Sequence, residues 1–202
     1  ASDQNPSYAM RCLGSDADGV ADLLDDFVSG MREGGLSVTL KTFPGIGNVS
    51  ADVTESIAEN TDSLMTIRDT NFVPYASGIQ AGADCVMVSN AAYSKLTVKK
   101  VPAFMSQDIV TKLLREELGF DGIVMTSPLN DNVIENNYTN EFAVVEAVKA
   151  GCDLIVLPGN FKECYEALIT AVEEGRIDEK VINTSVRRIL QNKIQRGILV
   201  LE

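Results

Sequence analysis

The sequence predicts an α/β fold in which short, buried parallel strands alternate with helices. Four apolar, β-branched runs are spaced along the chain, and polar, Gly or Pro residues close each of them: LSVTLKTF (36–43), DCVMVSN (84–90), GIVMTSP (122–128) and DLIVLPG (153–159). Strands buried on both faces of a parallel sheet have this nearly continuous apolar character. Helical patterns lie between the runs, and parallel strands need such crossover connections.

The helices are predicted from apolar positions that repeat with the helical period. In the first helix, residues 16–33, the apolar stripe ends at Gly34-Gly35, which is a typical helix C-terminal signal. The same kind of pattern predicts helices at 106–118, 141–150, 161–174 and 178–196.

Repeated junctions indicate how these elements connect. AGAD (81–84), GFDG (119–122) and AGCD (150–153) each stand directly before a predicted strand. Helix–Gly–strand returns are typical of repeating β/α units, so we predict a parallel (β/α) barrel of the TIM type. Only about four β/α units are present, whereas a closed barrel needs eight strands and typically about 250 residues. We therefore expect a half barrel with two open sheet edges, paired with another half barrel or in a homodimer.

Composition narrows the range of partners. The net charge of −12 argues against a nucleic-acid partner, which would need clustered Lys and Arg. No apolar run approaches the roughly 20 residues of a transmembrane helix, and the first residues do not form a signal peptide. Whether the parent protein is secreted stays open. The 202 residues include no histidine, and the four cysteines show no CxxC spacing, so we predict no metal site and no cofactor.

Several motifs resemble one enzyme family. KTFPGIGNVSADVT (41–54) resembles the signature of glycoside hydrolase family 3, which reads Lys-His-Phe-Pro-Gly-His-Gly-Asp followed by Asp-Ser-His. RCLGSDADGVADLLDDFVSGMREGG (11–35) resembles that family's Arg-Ser-Phe-Gly segment and the helix after it. The resemblance continues through AGADCVMVSNAAY (81–93), LLREELGFDGIVMTSPL (113–129), AGCDLIVLPG (150–159) and SVRRILQNKIQRGIL (185–199).

The resemblance implies that residues 1–202 form the C-terminal half of a family 3 barrel, nearest in pattern to the β-N-acetylhexosaminidase branch. It also implies a retaining glycosidase mechanism on a β-linked amino sugar, at the C-terminal ends of the strands. An aspartate of the family attacks the anomeric carbon, and an Asp–His pair protonates the leaving oxygen. In a retaining pair of carboxylates the two groups stand about 5 Å apart.

The chain departs from the family at its chemical positions. Ser127 stands at the position of the nucleophile and Thr54 at that of the dyad histidine, although Asp52 keeps the dyad aspartate. A neutral hydroxyl without an adjacent base has a pKa too high for either task. We therefore predict that no catalytic group is intact and that hydrolysis is lost or impaired. Three further family histidines are replaced by Thr42, Ile46 and Asn90.

The surviving polar residues leave alternatives open. Lys41 either contacts a sugar hydroxyl or pairs with a carboxylate in the barrel, and Arg11 matches a family arginine that reaches the substrate. With Thr42 and Asn90 they form the predicted substrate-binding set. Asp131 and Glu55 are the other carboxylates expected near the rim. The chain is therefore a sugar-binding but inactive domain, an active hydrolase that uses displaced carboxylates, or a structural module without ligand.

Overall fold

The structure, a computed structural model, describes residues 12–49 and 51–200. The α-helices in these residues are α1 (Ala17–Glu33), α2 (Leu64–Asp69), α3 (Phe72–Gln80), α4 (Asn132–Glu135), α5 (Asn140–Ala150), α6 (Phe161–Glu173) and α7 (Glu179–Gln195). The strands are β1 (Thr39–Phe43), β2 (Glu59–Asn60), β3 (Cys85–Val88), β4 (Ala92–Tyr93) and β5 (Ile123–Thr126). A 3-10 turn spans Ala103–Met105, and a π-helix spans Asp108–Glu117.

Three of the four predicted strands form one parallel sheet in the order β1–β3–β5. Cys85 of β3 lies opposite Thr39 of β1 on one side and Ile123 of β5 on the other. The helices α2 and α3 connect β1 to β3, and the π-helix precedes β5. The alternation of parallel strands and helices confirms the predicted α/β class.

The fourth predicted run, residues 153–159, is not a regular strand. It meets β5 through a single parallel bridge between Met125 and Leu154, and the Leu154 N–H donates to the Val124 carbonyl at 3.1 Å. Two residues later, the Val156 N–H donates to the Thr126 side-chain hydroxyl instead of a backbone carbonyl. The run therefore lies where a fourth strand was expected, but the prediction of a full strand was wrong because a side chain interrupts the ladder.

The second, smaller parallel sheet was not predicted. It consists of β2 and β4, in which Glu59 lies opposite Ala92 and Asn60 opposite Tyr93. Two residues per strand are too few for a hydrophobic period to mark them in the sequence.

The core lies between the main sheet and the helices around it. Phe43, at the end of β1, stacks on Phe72 and meets Tyr75 edge-on, with ring centroids 5.6 and 5.1 Å apart. Val86 and Val124 are fully buried in the neighbouring strands. These contacts hold the strand ends at fixed spacing and so position the rim residues. No helix in the described part of the chain is both long and apolar enough to span a bilayer.

Helix α7 crosses the N-terminal ends of the strands and holds two buried aspartates there. Arg196 donates to both oxygens of Asp84, with its Nη2 at 2.6 Å from each, while Ser185 and Arg188 donate to Oδ1 of Asp153 at 2.7 and 3.2 Å. Asn192 adds a bond to Asp84 at 3.0 Å. Three of these residues belong to α7 and Arg196 directly follows it; they are three or four positions apart, so they lie on one side of the helix.

The two aspartates also bind neighbouring strand backbones. Asp84, just before β3, accepts the Val38 N–H at 3.0 Å, and Asp153 accepts the Val124 N–H at 2.9 Å. The repeated Ala-Gly-x-Asp junctions of the sequence therefore perform the same task twice. Each connects the residue before an apolar run to the backbone of the neighbouring strand region and to α7.

Apolar side chains are exposed on both sides of the described sheet. Beside β1, which is an edge strand in the described residues, α1 exposes Leu23 and Phe27. On the other side, α6 and α7 expose a set of apolar residues at helical spacing: Phe161, Tyr165, Ile169, Val186, Leu190 and Ile194. A sheet with two such faces needs cover on both.

We predict that Asp153→Ala lowers the free energy of unfolding by about 3–5 kcal/mol, because it leaves the largely buried guanidinium of Arg115 without its carboxylate. Urea unfolding followed by circular dichroism measures the change. The control is Glu174→Ala, which removes the carboxylate of an exposed arginine pair and should leave the midpoint nearly unchanged. Equal effects of the two variants would contradict a special role for Asp153.

Candidate functional site

The predicted site residues gather where the parallel strands end. Because the carboxyl ends of parallel strands meet at one edge, the ends of β1, β3 and β5 bring Thr42, Asn90 and Ser127 to the same rim. All three side chains are buried. Arg11, the remaining member of the predicted binding set near the chain start, lies outside the described residues.

The hydroxyl of Ser127 is engaged by the backbone of the neighbouring strand. Its Oγ donates to the Val88 carbonyl at 2.9 Å, and the Ser127 N–H donates to the same oxygen at 3.0 Å. The side chain is only 7% exposed. A hydroxyl held in this way is a neutral donor that already has an acceptor, and it has no means of becoming an alkoxide near neutral pH.

The side chains of Thr54 and Asp52 are hydrogen-bonded to each other within one loop. The Thr54 hydroxyl donates to Oδ1 of Asp52 at 2.7 Å, and the Thr54 N–H donates to the same oxygen at 2.9 Å. Asp52 thus caps the backbone of its own loop, as aspartate often does in turns. A threonine hydroxyl does not release its proton at neutral pH, so in this contact Thr54 is a hydrogen-bond donor.

A carboxylate that lies outside the family motif completes the rim. Asp131, which immediately precedes α4, accepts a bond to Oδ2 from Nδ2 of Asn90 at 2.9 Å. The loop that carries Asp52 is tied to the same place, since the Val133 N–H donates to the Thr54 carbonyl at 2.8 Å. The pairing of Asn90 with Asp131 spans 41 residues, and no local sequence signal predicted it.

The environment of Asp131 raises its pKa above the ordinary value for aspartate. Burial is the main cause, and the negative charges of Asp52 and Glu55 act in the same direction. The hydrogen bond from Asn90 and the positive charge of Lys41 oppose the shift. These interactions place four charged groups and one buried amide within electrostatic reach of each other. Glu55 is further held by Nδ2 of Asn132 at 2.8 Å.

Lys41 and Thr42 are adjacent in β1 at the rim, and their side chains differ in their exposure to solvent. The Lys41 side chain is exposed, and among the described residues no carboxylate oxygen lies within 4.0 Å of its Nζ. The alternative of a closely paired core lysine therefore has no support in this part of the chain. Thr42 is 8% exposed, and its hydroxyl finds no hydrogen-bond partner in residues 12–49 and 51–200. The ladder with β3 is irregular between Lys41 and Phe43.

A cavity of about 300 Å³ runs from the rim down the outer edge of β1. Lys41 and Thr42 line its upper part, whereas Ser127, Thr54, Asp52 and Asn90 do not line it. Its walls are mostly apolar and come from three places, namely β1 with its following loop, α1, and the start of α3: Val20, Leu24, Phe27, Val38, Leu40, Ile46, Pro74 and Tyr75. The cavity and the carboxylate group are thus separate features; Lys41 is common to both, because it lines the cavity and contributes to the environment of Asp131.

The described residues offer no metal centre. Across residues 12–49 and 51–200, no three Asp, Glu or Cys side chains converge as ligands for one ion. Asp52, Glu55 and Asp131 are therefore near enough to influence each other electrostatically but not to ligate a shared cation.

Comparison with known proteins places the chain in a family. Residues 1–192 match the N-terminal domain of the glycosyl hydrolase family 3 proteins. The chain belongs to glycosyl hydrolase family 3. It is 31% identical over 195 residues to a β-hexosaminidase of Stenotrophomonas maltophilia strain K279a, and 28% identical over 204 residues to a β-N-acetylglucosaminidase/β-glucosidase of Cellulomonas fimi. Both alignments cover 96% of this chain, but 55% and 36% of the respective relatives.

Solved structures agree with this assignment. A family 3 β-N-acetylglucosaminidase from Paenibacillus sp. str. FPU-7 superposes with a TM-score of 0.93 at 32% identity, covering 100% of this chain and 40% of that one. A β-N-acetylhexosaminidase from Beutenbergia cavernae DSM 12333 gives 0.86 at 31% identity, covering 95% and 57%. These matches confirm the family and the TIM-barrel type of α/β fold. The family 3 chain is β-N-acetylhexosaminidase-like and spans about a third to a little over half the length of these relatives.

We predict that Asp131→Asn raises the thermal unfolding midpoint at pH 7 but has little effect at about pH 3 or below, where the aspartate is largely protonated in the folded and unfolded states. A raised pKa means that the fold disfavours the charged form. The resulting cost is absent where Asp131 is protonated in both states, and it is fully present above the folded pKa. The asparagine oxygen can still accept from Asn90. Scanning calorimetry at both pH values measures the difference, and a midpoint lowered at pH 7 would contradict the prediction.

Proposed function

We propose that this domain binds a β-linked amino sugar and is hydrolytically inactive or impaired. The observation that carries the proposal is the state of Ser127, whose hydroxyl is bonded to the Val88 carbonyl where the family motif has its nucleophile. A retaining glycosidase needs a carboxylate at that point to form the glycosyl-enzyme. Thr54, at the position of the family's histidine, donates its proton to Asp52 and has no acidic proton to give a leaving group.

Ligand binding is proposed from what the rim retains. The sugar-binding relatives carry the same scaffold, and this chain keeps polar groups at the rim while losing the reactive ones. We propose that Lys41, Thr42 and Asn90 contact the sugar, together with Arg11 from outside the described residues. Lys41 is exposed at the rim and lines the cavity together with Thr42, which supports ligand contacts for these two residues.

We further propose that residues 1–202 are the C-terminal half of an eight-stranded barrel. The strand order β1–β3–β5, with residues 153–156 in the next place, corresponds to four consecutive barrel positions. The exposed apolar residues of α1, α6 and α7 support a partner on both sides. We propose another half barrel, in the same protein or in a second copy, as that cover.

One observation favours a second candidate function, an active hydrolase with displaced carboxylates. Asp131 lies at the rim and has a raised pKa, which is the property that a general acid requires. Asp52 or Glu55 would then serve as the second carboxylate. The proposal of an inactive site ranks first because the family's nucleophile position carries no ionisable group.

An activity assay separates the two functions. With an aryl β-N-acetylglucosaminide, we expect the full-length wild-type protein to release aryl alcohol no faster than the buffer blank. The double variant Ser127→Asp with Thr54→His should exceed that limit by at least about 100-fold, because one positioned acid or base contributes about 10²–10⁴-fold. Wild-type hydrolysis that Asp131→Ala abolishes would establish the second candidate. A silent double variant would contradict the assignment of these two positions.

A binding experiment addresses the sugar contacts. We expect isothermal titration of the full-length protein with N-acetylglucosamine oligomers to show binding in the millimolar range or tighter. Lys41→Ala should weaken this binding by about tenfold, since one hydrogen bond to a charged group contributes about 1.5–3 kcal/mol. Lys162→Ala, at an exposed site on α6, is the matched control. Wild-type protein without detectable binding would overturn the proposal.

A further inference from the structure

A segment beside the rim is rich in side-chain amides. Five of the residues from 130 to 140, between β5 and α5, are asparagines: Asn130, Asn132, Asn136, Asn137 and Asn140. Residues 130–142 also contain three acidic side chains and neither Lys nor Arg. We refer to residues 130–142 as the asparagine segment. It lies between the family motifs at 113–129 and 150–159, so those motifs do not account for its composition.

Two contacts join the start of the asparagine segment to the rim. Nδ2 of Asn132 donates to Oε2 of Glu55 at 2.8 Å, and the Val133 N–H donates to the Thr54 carbonyl at 2.8 Å. Both partners belong to the loop that carries the rim carboxylates. The asparagine segment therefore directly borders the rim at which sugar binding is proposed.

Two amides of the segment are available for a ligand. The side chains of Asn130 and Asn136 are exposed, and neither forms a hydrogen bond with the residues that the structure describes. By contrast, Nδ2 of Asn137 donates to the Val133 carbonyl at 2.8 Å. A side-chain amide both donates and accepts, and a sugar hydroxyl does the same. The two available amides are therefore matched to the hydroxyl groups of a sugar.

An aromatic pair stands at the end of the segment. The rings of Tyr138 and Phe142 are nearly parallel, with an interplanar angle of 8° and centroids 6.0 Å apart. The Phe142 side chain is 51% exposed. Aromatic side chains provide a large, rigid contact area and lose few torsions when a ligand orders them. The pair thus adds an apolar contact surface to the amides.

This combination selects a class of ligand. An anionic ligand is disfavoured, because Asp131, Glu135 and Glu141 would repel it. A stable protein partner covers about 800 Å² on each side, whereas Phe142 is the large apolar side chain that this fully described segment exposes. A neutral oligosaccharide carries hydroxyl groups at the edges of its rings and apolar C–H groups on their faces, and so it matches both parts of the segment.

We infer that the asparagine segment binds the outer sugar units of a neutral oligosaccharide whose first unit lies at the rim. Phe142 and Tyr138 contact the C–H face of a pyranose ring, and Asn130 and Asn136 bind its hydroxyl groups. This inference rests on the proposed function, because it takes sugar binding at the rim as given. It specifies that the ligand is an oligosaccharide and that its length determines the affinity.

The test compares ligands that differ in the number of sugar units. Full-length protein is titrated by calorimetry with methyl β-N-acetylglucosaminide and with the β-1,4-linked tetramer of N-acetylglucosamine. Four equivalent units give a statistical gain of about fourfold, and we expect the tetramer to bind at least about 20-fold tighter than the monosaccharide. Phe142→Ala should weaken tetramer binding by about five- to tenfold, because one face of a sugar ring loses its apolar contact. It should leave monosaccharide binding unchanged.

The variants are chosen so that the fold stays intact. The Thr139 hydroxyl caps α5 by accepting from the backbone N–H of Phe142, which alanine keeps. Phe142→Tyr retains the ring and should retain the preference for the tetramer. Val98→Ala, which shortens a fully exposed apolar side chain after β4, is the matched control and should change neither affinity. Asn136→Ala should weaken tetramer binding by a smaller factor than Phe142→Ala.

The possible failures are distinguishable. A tetramer that binds no more than about fourfold tighter than the monosaccharide would overturn the inference and leave the proposed sugar-binding function standing. A preference that survives Phe142→Ala would also overturn it, because the outer units would then be bound elsewhere. If neither ligand binds at millimolar concentration, both the inference and the proposed function fail.

Discussion

The structure depends on two buried carboxylates at the N-terminal ends of the strands. Asp84 and Asp153 are almost completely excluded from solvent, and each accepts bonds from a strand backbone and from helix α7. A buried carboxylate without such partners would be strongly unfavourable, so strand spacing and the position of α7 are determined together. The described face of α7 that meets the sheet is therefore polar, which is unusual for a helix that covers strand ends.

These contacts at the N-terminal ends of the strands also help to position the side chains at their carboxyl ends. Because β1, β3 and β5 are parallel and fixed in register, their carboxyl ends bring together residues that are far apart in the chain. Thr42, Asn90 and Ser127 occupy this common rim. The main sheet and its buried aromatic contacts therefore set the geometry of the rim, whatever side chains the rim carries.

Several polar groups of the rim are hydrogen-bonded within the protein. Two hydroxyl groups of the rim are satisfied by contacts within the protein: Ser127 donates to the Val88 carbonyl and Thr54 donates to Asp52. Of the three carboxylates at the rim, Asp52 belongs to the motif and Glu55 and Asp131 lie outside it; Asp131 is the most buried of the three.

The sequence by itself determined the fold class and the family, whereas the replacement of the reactive groups stays a prediction. Buried parallel strands have an apolar signature that is local, and the motif around Lys41 identifies residue positions one by one. Only the tertiary structure decided that residues 153–159 do not complete a strand, that Asn90 pairs with Asp131, and that α7 binds Asp84 and Asp153. These features depend on contacts between side chains separated by tens of residues, and such contacts leave no periodic pattern in a single sequence.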